Sequence, residues 1–121
     1  MPKSLDELLT LKGAVASGEF ASNGKLIDFR SKGTPLPDDV ALLTAQFAAA
    51  VSQLLGVLAA THSRISGFNW VPAQGWTYSG GDLTIAVGGG RGVFVKTAEA
   101  DFNQLFDALI GPRQLSVVGE R

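Results

Sequence analysis

The chain contains no cysteine, one histidine and one methionine among its 121 residues. Without thiols it can form neither a disulfide nor a thiolate metal site. The lone His62 falls short of the ligand sets that zinc normally requires. No serine, threonine or acid is placed beside it by spacing, so it lacks the oriented partner that a general base needs. Its plainer role is at a helix end, capping carbonyls. Charge is also scarce: charged residues make up 17 % and the formal net charge is −1. A sequence-independent nucleic-acid binder needs a basic surface to release counterions, and none is visible. The opening "MPKSLDELL" has no long apolar core of the signal-peptide kind, so a cytoplasmic address is the default expectation. No catalytic constellation, metal or cofactor is expected.

What the chain has instead is a long uncharged run, "ALLTAQFAAAVSQLLGVLAA" from Ala41 to Ala60. Its length would suffice for a membrane span. However, alanine dominates it, and Gln46 and Gln53 at mid-depth oppose insertion. Asp38 and Asp39 stand before it, so no basic anchor marks its upstream end. It reads as a helix of one soluble domain covering residues 1–111, followed by a tail over 112–121.

Local signals order the remaining elements. Ser4-Leu5-Asp6-Glu7 fits a capping box opening a short helix that ends near Gly13. "ASNG" between "GAVASGEF" and "KLIDFRS" is a hairpin signal, because Asn-Gly suits the left-handed turn. "KGTPLPDD" links this hairpin to the long helix, predicted over about Asp38–His62, with its acids at the positive end of the dipole. "FNWVPAQGWTY" places Phe68, Trp70, Trp76 and Tyr78 at even positions, although Pro72 and Gly75 predict an interruption. "LTIAV" and "GVFVK" form a second hairpin around Gly88-Gly89-Gly90. Apolar groups on both faces of these strands predict a sheet covered on both sides. Thr97 is read as the cap of the last helix, whose Phe102, Leu105, Phe106 and Leu109 make an i, i+3, i+4, i+7 stripe. Gly111-Pro112 ends it. The order is helix, two strands, long helix, three strands, helix: an α+β layered domain with a mainly antiparallel sheet.

Projected at 3.6 residues per turn, the long helix has two apolar sides. Val40, Leu43, Phe47, Val51, Leu54, Leu55 and Leu58 gather on one. Ala41, Ala45, Ala48, Ala49, Ser52, Gly56, Ala59 and Ala60 occupy the other. The bulky side is expected to cover the sheet. The small side is then left over, either as an ordinary alanine-rich surface or as a face against a twin helix in a two-fold dimer. The second reading makes Ala41, Ala45, Ala48, Ala49, Ser52 and Gly56 dimer-interface candidates. Trp70 and Trp76 join them, since an aromatic edge strand could pair with its symmetry mate.

Two further motifs read blandly. "GGGRG", Gly88 to Gly92, is followed by a strand, whereas a phosphate loop leads into a helix. It is therefore a hairpin turn with Arg91 exposed at its tip. Phe68, Trp70, Trp76 and Tyr78 could wall a small-ligand pocket, but strand aromatics more often serve cores and interfaces.

"SLDELLTLKGAVASGEFASNGKLIDF" and "SGFNWVPAQGWTYSGGDLTIAVGGGRGVFVKTAEADFNQLF" resemble an uncharacterised prokaryotic subfamily of roadblock/dynein light chain-like proteins. The resemblance runs from Ser4 to about Leu109. It implies a five-stranded antiparallel sheet with one long helix on one face and two terminal helices on the other. It also implies a non-enzymatic regulatory or scaffolding homodimer in which long helices pack together and edge strands join. Better-known members work with small Ras-like GTPases or other complexes, so the implied partners are a second copy and such a protein. Nothing residue-specific carries over for GTPase contact. The bottom-up rival is a small-ligand sensor built on the Phe68–Tyr78 aromatics.

Overall fold

The computed structural model describes residues 4–33 and 36–111; the expected tail over 112–121 lies outside them. Helix α1 spans Leu5–Leu8 and strands β1 and β2 span Ala14–Phe20 and Leu26–Ser31. The long helix α2 spans Asp38–Ser66, four residues beyond its expected end. Strands β3, β4 and β5 span Gly75–Ser79, Leu83–Gly88 and Arg91–Lys96, and α3 spans Phe102–Ile110. All neighbouring strands pair antiparallel in the order β2-β1-β5-β4-β3. The element order and the antiparallel sheet agree with expectation.

Local chemistry explains the boundaries. The Ser4 hydroxyl accepts from the Glu7 amide at 3.2 Å, and the Glu7 carboxylate accepts from the Ser4 amide at 2.8 Å, closing the capping box. The β1–β2 turn is locked by the Asn23 side chain, which accepts from Lys25 N–H at 3.0 Å. Gly24 there has φ +90° and lies against the α2 backbone at Gln46, where a side chain would be both strained and crowded. The cap of α3 is Asp101, whose carboxylate accepts from Gln104 N–H, rather than the predicted Thr97. Thr97 instead opens a 3₁₀ turn, Thr97–Glu99, and its hydroxyl bonds to those of Thr84 and the Gly80 carbonyl. A buried hydroxyl seeks a partner, and Thr84 supplied one nearer than the helix.

Side chains alternate across the sheet. On one face Ala86, Val93 and Val95 meet Leu5, Leu8 and Leu11 from the α1 side and Leu105, Ala108 and Leu109 of α3. Ser17 is fully buried there and donates to the Leu5 carbonyl at 2.8 Å. The opposite face carries Phe29, Ile85, Val87 and Phe94, and α2 lies over it. Phe29 and Phe94 meet edge-to-face with centroids 6.3 Å apart, a favoured aromatic geometry.

The side of α2 that meets this face is the alanine side. Ala41, Ala45, Ala48, Ala49 and Ala59 are buried, whereas Leu43, Phe47, Leu54 and Leu58 are exposed. The expectation was the reverse, and the reason for the reversal is steric. The sheet already supplies the large groups, and Gly18 and Gly92 lie among them. Small residues let the helix axis come close to that relief and fill the layer to native density. Ala41, Ala45, Ala48 and Ala49 are therefore intrachain contacts, not a surface for a twin.

Overpacking that layer should be costly. Ala48→Leu is expected to lose about 1–3 kcal/mol of stability, read as a lower midpoint in urea unfolding without loss of native secondary structure. A second expectation concerns Asp28. A hydrogen bond from Arg30 and one from Phe29 N–H hold its carboxyl below the ordinary carboxylate value. A depressed folded-state value contributes stability that is present above the unfolded pKa and lost as pH falls through the folded one. The acid limb of an unfolding-versus-pH curve should flatten in Asp28→Asn.

Candidate interaction surface

With its alanines seated, α2 turns its bulky side outward. Leu43 is 55 % exposed, Phe47 62 %, Leu54 68 %, Val57 68 % and Ile65 74 %. Along Leu43, Phe47, Ala50, Leu54, Val57 and Thr61 the spacing alternates between four and three. That spacing is the one with which a helix can pack lengthwise on another helix. Exposed contiguous apolar area of this kind marks an interaction site. No charge interrupts α2 from Val40 to Thr61. Its length and its mean hydropathy of 1.7 over an 18-residue window would also satisfy a membrane span. In the fold, though, one side of the helix is committed to the sheet.

The other interface candidates separate. Ser52 and Trp76 are brought together: the Trp76 Nε1 donates to Ser52 Oγ at 3.1 Å, fastening β3 to α2. Gly56 is exposed, with open space where a side chain would stand. Trp70 lies outside any strand, in the loop after α2, and is 50 % exposed. Its backbone N–H donates to Ser63 Oγ at 2.7 Å and its Nε1 to Ser66 Oγ at 3.0 Å. The His62 ring packs against it at 4.8 Å. His62 thus stands inside the last turns of α2 against an indole and does not cap the helix. Gly67 does so, with φ +81° and its N–H on the Ser63 carbonyl.

The four aromatics do not share one strand. Only Trp76 and Tyr78 lie on β3, both toward α2; Phe68 and Trp70 belong to the loop before it, which also contains Pro72 and ends where β3 begins at Gly75. Two clefts open between α2 and this region. One, of 330 Å³, is bounded by Ser52, Gln53, Trp76, Val87 and the Gly88–Gly90 turn. The other, of 590 Å³, lies between Leu55, Leu58 and His62 on the helix and residues 69–75. No Asp, Glu, Lys or Arg lines either cleft.

Arg91 is not at an exposed tip. It is half-buried at the start of β5, and its guanidinium donates to the Leu109 carbonyl near the end of α3. A cation there complements the negative end of the helix dipole. Burial lowers the guanidinium pKa somewhat while the charge of Glu19 opposes this. Among the described residues no group of three His, Cys, Asp or Glu gathers as a metal site would require.

The sequence reading missed Leu43, Phe47, Leu54, Val57, Leu58 and Ile65 as surface residues. The alternating four-three spacing was the available signal, but it competes with the assumption that large side chains go inside.

These layers form a roadblock-like fold. Solved structures with the same fold include the gliding protein MglB of Thermus thermophilus, at TM-score 0.61 and 16 % identity over 84 % of this chain and 73 % of that one. A roadblock/LC7 domain from Streptomyces avermitilis gives TM-score 0.60 and 14 % identity, covering 87 % and 84 %. MglB of Myxococcus xanthus gives 0.57 and 16 %, covering 86 % of each. A comparison with curated protein sequences yields no match. Residues 4–110 match the family model DUF2173, an uncharacterized conserved protein, and the chain belongs to that family. Its fold is that of the roadblock/LC7 and MglB structures above.

The Ser52–Trp76 bond is the most directly testable contact of this region. Ser52→Ala should keep the indole in place and lose about 1 kcal/mol, measured by chemical denaturation.

Proposed function

We propose that the protein is a non-enzymatic, homodimeric regulatory or scaffolding module whose dimer contact involves the outward side of α2 and the adjoining clefts over β3. The observation that carries this reading is the uncovered run Leu43, Phe47, Leu54, Val57, Leu58 and Ile65 on a helix whose other side is already buried. Fully burying such a side chain is worth about 1.5–3 kcal/mol, so leaving six in water is a large unsatisfied driving force. A two-fold pair places one chain's ridge against the same ridge of the other, the commonest way such a face is closed. The clefts flanking Leu55 and Leu58, free of Asp, Glu, Lys and Arg, supply room for the twin's side chains. The fold relatives support the reading in kind: one solved MglB structure is described as having a tetrameric arrangement, at TM-score 0.55 and 19 % identity. The further protein that such a dimer would regulate is, by family resemblance, a small GTPase or another complex. Trp70, exposed beside the seam, is retained as an interface residue; the alanines are not.

Leu58→Arg should shift the purified protein from dimer to monomer in sedimentation while its circular dichroism stays native. A wild-type monomer at micromolar concentration, or flotation of the protein with lipid vesicles, would remove the reading. The uncharged 330 Å³ cleft beside Trp76 favours a second one, a small-ligand sensor. It predicts saturable quenching of tryptophan fluorescence by some neutral metabolite in a dimer whose association is unaffected.

A further inference from the structure

The wall of the 590 Å³ cleft carries one imidazole, that of His62, and no other group that ionises near neutral pH. His62 is the only histidine in the chain, and histidine is the side chain whose charge ordinarily changes between pH 5 and 8. It stands one turn beyond Leu58 and two beyond Leu55 on the same side of α2. The apolar row that lines the cleft therefore ends on a titratable ring.

The ring is held at the cleft wall. It packs on Trp70 with centroids 4.8 Å apart and planes tilted by 50°. The Trp70 Nε1 donates to Ser66 Oγ at 3.0 Å and its backbone N–H to Ser63 Oγ at 2.7 Å. Both serines belong to α2, so helix, indole and imidazole form one unit. The His62 side chain is half-buried, and no described group hydrogen-bonds to its ring nitrogens, which leaves them to water.

Little nearby would offset a positive charge. The facing loop, residues 69–74, and Gly75 of β3 are all uncharged. From Val40 to Gly81 the sequence has no carboxylate, and its only other basic group is Arg64, two residues on. The acids of α2, Asp38 and Asp39, stand at its far end. A two-fold centred on the Leu43–Thr61 row would bring the partner's Asp38 and Asp39 to the level of Ile65 and Ser66, closer to Arg64 than to His62.

Building on the dimer reading above, we infer that protonation of His62 drives the two copies apart, so that their contact is pH-sensitive. When the twin closes the cleft, the imidazole loses its water. A neutral ring tolerates that at little cost, whereas an imidazolium without a counter-ion does not. The attraction of the Trp70 face and the negative end of the α2 dipole both favour the cation. They act within one chain, paired or not, and so largely cancel between dimer and monomer. The water lost on closure decides the sign: separated chains bind more protons than the pair, and association weakens as pH falls. With one His62 in each copy, the dissociation constant should rise by up to about a hundredfold per pH unit. The proton does reversibly, one turn further on, what Leu58→Arg would do permanently.

The test is sedimentation of wild type and His62→Gln at about pH 8 and about pH 5.5, with circular dichroism to show that each stays folded. Wild type should be a dimer at the higher pH and a monomer at the lower, and His62→Gln a dimer at both. His62→Leu, a second neutral replacement, should match His62→Gln, which exposes any defect peculiar to glutamine. A wild type that stays dimeric at both values, or associates more tightly on acidification, overturns the switch and leaves the dimer standing. Dissociation of the neutral variants at the lower pH assigns the effect to another group and also overturns it. A wild type already monomeric at the higher pH overturns the dimer reading and the switch with it.

Discussion

The structure depends on how closely α2 can approach the sheet. Five alanines, Ala41, Ala45, Ala48, Ala49 and Ala59, form the contact side of the helix. Below them the sheet presents Phe29, Ile85, Val87 and Phe94, interrupted by Gly18 and Gly92. The bulk in this layer therefore comes from the strands, and the helix supplies a smooth surface. Dispersion attraction falls steeply with separation, so the small side chains convert directly into contact area between backbone layers. The Trp76–Ser52 bond and the Gln53 amide, which donates to the Ser22 carbonyl at 2.8 Å, hold the helix at that height on both flanks.

A consequence runs from packing to function. Because the alanines satisfy the sheet, the larger residues of α2 have nowhere to go within one chain. The helix thus seats on its own sheet with one side and leaves the other uncovered. The opposite face of the sheet shows the more ordinary arrangement, with leucines from the α1 region and α3 closing a conventional apolar core. The two edges are equally divided, one guarded by Arg30 and its carboxylates and the other bare of charge. Both asymmetries place the uncovered surface on the same flank of the domain, around α2 and β3.

Much of the fold was legible because its signals are local. The Ser4–Glu7 capping box, the Asn23-Gly24 turn and the stripe of α3 each need only neighbours in sequence. Legibility ended where two local solutions competed. Thr97 and Asp101 could each cap a helix, and the position of Thr84 across the sheet settled which one did. Arg91 looked like an exposed turn residue until α3 brought the Leu109 carbonyl to it. Trp70 followed the even spacing of Trp76 and Tyr78, yet the serines at the end of α2 drew it out of the strand pattern. Ser52 and Trp76 were named separately, and spacing gave no sign that they meet within one chain.

The amino-acid sequence by itself determined that α2 exists, that both its sides are apolar and that no charge or thiol offers ready chemistry. It could not determine which side lies inside. Hydrophobic periodicity reports the phase of a helix relative to itself, and two apolar sides give two equivalent phases. Only the tertiary structure broke that tie, because the choice depends on the shape of the sheet beneath. A sheet face already filled by phenylalanine, isoleucine and valine accepts alanine at close range and would hold leucine away.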